Sequence, residues 1–143
     1  MRQIKFSYLF QNLETGIIHE KIWTLGELES GSATIYIAIN LKKYTIIARR
    51  QYSGINDRHG HEIYEGDILQ IETANHIIIN VVCEFGIARR KMLGNCEVDI
   101  PSFYLRRDDL LSFPITNNWN NKHDLEMIEI VGNIYEPSFK SKL

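Results

Sequence analysis

Gln51-Tyr52-Ser53-Gly54-Ile55-Asn56-Asp57-Arg58-His59-Gly60-His61-Glu62-Ile63-Tyr64-Glu65-Gly66-Asp67-Ile68-Leu69 is the stretch on which the fold turns. Tyr52 closes one apolar run, and Gly54 lets the backbone take a positive φ without a Cβ clash. Asp57 can accept hydrogen bonds from backbone N–H groups a few residues on, which fixes a loop. Gly60 supplies a second permissive position. Ile63 and Tyr64 then return as apolar anchors, and Glu65-Gly66-Asp67 bends the chain into the next run, Ile68 to Ile71. Two apolar runs joined by turn chemistry read as successive strands.

The rest of the chain agrees. It has 22 Ile against 5 Ala. β-branched side chains pack well on a pleated sheet, and Ala is the best helix former. Seven windows read as strands: Gln3–Leu9, Ala33–Ile39, Tyr44–Arg50, Asp67–Thr73, Ile77–Phe85, Cys96–Leu105 and Glu126–Val131. Ile35, Ile37 and Ile39 share a face if the second is extended. Ile77–Phe85 is nearly continuous and reads as buried on both faces. Helical signals are short: Thr24 followed by Glu27 spells a capping box, and Leu105–Leu111 is compatible with one turn. Asn-rich Ile115–Asp124, around Trp119, reads as a surface loop.

The fold expected is mainly β, with a small barrel-like or curled antiparallel sheet and short helical turns. Residues 1–50 form an N-terminal β-rich part, 51–137 the barrel-like part, and 138–143 a tail. With 143 residues and 44% hydrophobic content, the chain can bury roughly two thirds of its unfolded surface. A formal charge of −2 gives no general attraction to nucleic acid. The first residues alternate polar and apolar with no h-region, and no run approaches a membrane span, so a cytoplasmic protein is expected. Cys83 and Cys96 are expected as thiols, with Cys83 a small buried hydrophobe.

The quoted stretch resembles the YopX family of bacteriophage and prophage proteins, whose pattern is close to Q-Y-T-G-x-x-D-x-x-G-x-x-I-Y-E-G-D-I. Gln51, Tyr52, Gly54, Asp57, Gly60, Ile63, Tyr64, Glu65, Gly66, Asp67 and Ile68 match it, and Ser53 replaces Thr. The opening Arg2-Gln3-Ile4-Lys5-Phe6 is similar to the family's R-x-I-K-F. Ile128 to Glu136, containing Gly132-Asn133-Ile134-Tyr135-Glu136, is similar to its closing I-G-N-I-Y-E. Ser7 and Leu9 depart from the basic and Trp residues seen after the opening, and Pro137 follows Glu136 one position early. The resemblance implies a largely β homo-oligomer with no established activity. Gly54, Asp57, Gly60, Tyr64, Glu65, Gly66, Asp67, Gly132 and Asn133 then serve as structural motif residues.

Three functional readings follow. The first is a non-enzymatic phage or prophage accessory protein, an oligomeric scaffold that binds a phage or host protein. The second is a nucleic-acid-binding barrel using the basic pairs Lys42-Lys43, Arg49-Arg50, Arg89-Arg90 and Arg106-Arg107. The third is a metal-dependent enzyme built on Asp57, Glu65 and Asp67, with His59, His61 and Glu62 nearby. No standard ligand spacing or nucleophile motif is present, so no catalytic residue, metal or cofactor is expected.

Overall fold

The structure, a computed structural model, describes residues 3–72, 75–91, 94–108, 110–112 and 127–136. Two antiparallel sheets make it up. The first contains β1 (Lys5–Asn12), β2 (Ile18–Thr24), β3 (Tyr44–Asn56) and β4 (Glu62–Tyr64), in the order β2-β1-β3-β4. The second contains β5 (Asp67–Glu72), β6 (Ile78–Lys91), β7 (Glu97–Arg107), β8 (Leu110–Ser112) and β9 (Ile128–Asn133), in the order β8-β7-β6-β5-β9. Helices α1 (Leu25–Glu29) and α2 (Ser32–Asn40) connect β2 to β3. The mainly β class holds. Among the described residues the second sheet is open, with β8 and β9 as its outermost strands, rather than closed into a barrel.

Strand parity divides the first sheet. Phe10 and Trp23 point to one face and are buried with Ala33, and Tyr8, Tyr36 and Ile37 pack against them. The rings meet edge-on, with Tyr8 and Trp23 centroids 4.9 Å apart. On the other face Ser7 lies opposite Ile22 and Arg50, and Leu9 opposite Glu20 and Ala48. The second sheet buries Leu69, Ile71, Val81, Cys83, Phe103, Leu105 and Ile128 with Ile63.

Ala33–Ile39 is helical, not a strand. The spacing of Ala33, Tyr36, Ile37 and Asn40 matches one helical face, and it is this face that packs on Phe10 and Trp23. Ile35 and Ile39, the residues that suggested a strand, remain 63% and 73% exposed. Tertiary packing overrides β propensity here. The neighbouring α1 carries its capping box: Thr24 Oγ1 accepts from the Glu27 N–H at 3.2 Å, and Glu27 Oε1 accepts from the Thr24 N–H at 3.3 Å.

Leu105–Leu111 is a hairpin rather than a helical turn. β7 continues to Arg107 and β8 starts at Leu110, with Asp108 at φ 52° between them. Asp tolerates that left-handed conformation better than most residues. Tyr52 does not end its strand, because β3 continues to Asn56 and so crosses the junction at position 50. Within Ile77–Phe85 only Val81, Val82 and Cys83 are buried in succession, while Ile78 and Phe85 are 61% and 42% exposed. Strands β2, β4 and β8 were not legible in the sequence. Ile115–Asp124 and the tail at 138–143 lie outside the described residues.

One arm leaves the second sheet. β6 pairs with β5 only over Ile78 to Val82, and β8 pairs with β7 only over Leu105 to Arg107. Beyond them, Glu84–Lys91 pair with Glu97–Tyr104, and no other described strand joins them. At ~3.3 Å per residue this two-stranded arm is roughly 26 Å long.

Candidate functional site

The site begins at the corner between β4 and β5. Gly66 has φ +87°, a conformation that disfavours any residue with a Cβ. Its N–H donates to Cys83 O at 2.7 Å, and its carbonyl accepts from the Ile134 N–H at 2.9 Å. The corner is thus tied both to β6 and to the segment after β9. It places Asp67 at the head of β5, where Asp67 Oδ2 accepts from the Tyr64 N–H at 2.8 Å.

Asp67 meets Arg50. On β3, Ala48 and Arg50 point inward while Arg49 points out, over the Tyr8 ring at 5.5 Å. The Arg50 side chain is only 3% exposed. Its Nη1 donates to Asp67 Oδ1 at 2.5 Å, and its Nη2 donates to Glu20 Oε2 at 2.6 Å and to Ser7 Oγ at 3.1 Å. Ser7 Oγ in turn donates to Glu20 Oε2 at 2.6 Å. The guanidinium also lies 5.6 Å from the centre of the Tyr64 ring. One cation therefore joins β1, β2, β3 and β5, and holds the two sheets together.

Two carboxylates share this one guanidinium. Burial pushes the Asp67 carboxyl up from its ordinary 3.8 to about 6, although Arg50 and the Tyr64 N–H pull it down. The Tyr64 hydroxyl is pushed up as well, by burial first and then by the Glu62 carboxylate. The folded state thus holds a proton on Asp67 over a range where the unfolded chain has released it. The stability that Asp67 contributes is greatest below about pH 4. It falls as pH rises to about 6, by ~3 kcal/mol at ~1.4 kcal/mol per unit. Urea unfolding of the protein and its Asp67→Asn variant between pH 4 and pH 7 measures this. The stability difference between them shifts against the parent protein as pH rises; a difference constant with pH refutes the assignment.

The other acidic motif residue is engaged elsewhere. Asp57 Oδ1 accepts from the His59 and His61 N–H groups, both at 2.9 Å, and Oδ2 accepts from the Ile130 N–H of β9 at 3.1 Å. The loop 57–61 is thereby pinned to β9 beside the bulge where Ile68 and Leu69 face Gly132 and Ile130. Gly54 and Gly60 have φ +91° and +82°. After β9, Asn133 Oδ1 accepts from the Tyr135 and Glu136 N–H groups at 2.9 and 3.2 Å and forms a turn. Glu65 is half-buried with its carboxyl raised, chiefly by burial. The carboxylate that shares Arg50 with Asp67 is Glu20, not Glu65. Among the described residues, no group of three or more His, Cys, Asp or Glu is arranged to hold a metal ion.

Above Arg50 lies an open cleft of about 750 Å³. Ile18, Glu20 and Ile22 of β2 form one wall, with Glu62 and Tyr64 of β4 and Ile130 and Glu136 around the remainder. Sequence reasoning missed Ser7 and Glu20, and took Arg50 as a surface cation. The alternation of Ala48, Arg50 and Tyr52 along β3 carries part of the signal that Arg50 is inward, while Ile46 breaks it, because the register shifts beside Leu9 and Phe10 and Ile46 packs on the Phe10 face. Other basic residues also have acidic partners: Arg89 contacts Asp99 at 3.1 Å, and Arg106 contacts Glu84 at 2.5 Å. Cys83 is buried and Cys96 exposed, with neither in a disulfide. Among the described residues, no helix is long and apolar enough to cross a membrane.

No curated protein matches this chain. A family model described as YopX protein does match, over residues 7–139, which takes in both sheets, the Gly66 corner and the Arg50 network. The chain belongs to the YopX protein family.

Proposed function

We propose that this protein is a non-enzymatic phage or prophage accessory module that assembles with copies of itself and holds a protein partner. The observation that carries the reading is the β6–β7 arm. A two-stranded ribbon is marginal in water by itself. This one leaves Phe85 42% and Ile87 75% exposed, on the face that runs back to buried Phe103 and Leu105. Such a surface gains from being covered by another chain. The motif residues support the same reading, since Asp57, Gly66, Asp67 and Asn133 bind backbone groups or Arg50 rather than converging on one reacting point. The pairing of Arg89 and Arg106 with carboxylates favours protein over nucleic acid as the partner.

Light scattering tests the assembly. The protein is expected to elute at a multiple of 16.7 kDa, and Ile87→Asp to shift it towards the single-chain mass with no loss of melting temperature. A parent protein at the single-chain mass at ~100 µM overturns the self-assembly half of the proposal.

A further inference from the structure

We infer that the cleft above Arg50 binds an extended basic peptide segment of a protein partner, with a Lys or Arg side chain seated between Glu20 and Glu136. This deepens the partner-binding half of the function proposed above, and does not depend on the self-assembly half.

Charge comes first. Glu20, Glu62, Asp67 and Glu136 line the cleft, and Arg50 is the one Lys or Arg among its described lining residues. Lys5 pairs with Glu62 from the side. Arg50 can neutralise only one of Glu20 and Asp67, so that pair retains a negative charge, and Glu136 adds another. Glu20 uses Oε2 for both of its bonds, while Oε1 has no partner among the described residues. Its side chain is 41% exposed. Glu136 likewise accepts through Oε1 alone, from Asn133 Nδ2 at 3.2 Å. A partly desolvated negative charge with spare acceptor oxygens favours a cation with several donors.

The second observation is independent of charge. The Arg50 Nε–H is buried and has no hydrogen-bond partner among the described residues. Such a donor calls for an oxygen acceptor. A simple cation offers none. A peptide residue offers both, with an ammonium or guanidinium at the tip of its side chain and a carbonyl on its backbone. Ile18, Ile22 and Ile130 give apolar surface for the flanking residues.

The probe is a fluorescein-labelled nine-residue peptide alternating Lys with Val, read by anisotropy with the full chain at ~50 mM salt. The expected result is saturable binding that weakens with salt. Glu136→Gln, outside the Arg50 network, is expected to weaken it at least five-fold, and Glu20→Gln at least ten-fold. Glu14→Gln, on the exposed β1–β2 turn, is expected to leave it unchanged. Melting curves verify that each variant folds, and if Glu20→Gln does not, Glu136→Gln decides. The inference is overturned by equal weakening in Glu14→Gln, by unchanged affinity in Glu136→Gln, or by absence of binding. Competition by spermidine at the same concentration as a Lys-Val peptide would also overturn it, since that marks a general cation site. Failure here with a multimeric mass in light scattering removes the cleft assignment and leaves the assembly standing.

Discussion

Arg50→Met is expected to destabilise the fold by about 3–5 kcal/mol at pH 7, the cost of leaving a buried ion without its partner. The substitution keeps much of the apolar stem but removes every donor that holds Asp67, Glu20 and Ser7. Asp67 is left 7% exposed with only the Tyr64 N–H on its Oδ2. It escapes by taking a proton, so the loss is smaller at pH 5 than at pH 7. Arg50→Lys should fall in between, because a point charge cannot bridge acceptors on three strands as a planar fork does. Arg50→Met combined with Asp67→Leu is expected to recover most of the loss, since Glu20 can turn to solvent and the remaining site is apolar. Urea titrations of the parent protein and the three variants measure these differences. A loss under about 1 kcal/mol for Arg50→Met, of the size seen for surface pairs, contradicts the role given to the network.

Gly66→Ala is the second large effect, expected at about 3 kcal/mol or more. Part is conformational, about 1–2 kcal/mol for placing a Cβ in the left-handed region. The remainder is steric, because a Cβ on Gly66 would stand 2.6 Å from Tyr135 Cε2. Relieving that contact displaces the Tyr135 ring, beside the Ile134 N–H that binds the Gly66 carbonyl. Gly60→Ala separates the two parts. It has a similar φ of +82°, but its Cβ would meet nothing within 4 Å, so only about 1–2 kcal/mol is expected there. Thermal unfolding of the two variants gives the comparison. Equal losses would show that the Tyr135 contact is not a constraint.

Much of this was legible from local residue patterns. Gly66 and Asn133 sit in motifs whose turn chemistry is written within a few positions, and Ile63 and Tyr64 are buried as apolar anchors. The capping box at Thr24 and Glu27 is equally local. What escaped was decided at a distance. Ala33–Ile39 suits a strand by composition, and it becomes a helix because its Ala33–Tyr36–Ile37 face fits Phe10 and Trp23. The cleft escaped for the same reason. Ser7, Glu20 and Arg50 carry no motif, and they meet only because β1 pairs with β2 and β3 in one register.

The bond from the Ile130 N–H to Asp57 spans 73 positions, and β9 completes the edge of the second sheet beside β5. A chain emerging from the ribosome therefore exposes the outer side of β5 until Ile128–Asn133 has been made. Contacts of such separation close late and slowly, because a long loop must be ordered before they repay it. During that interval the nascent protein offers an open strand edge to its neighbours on the same polysome, and β9 is what seals it.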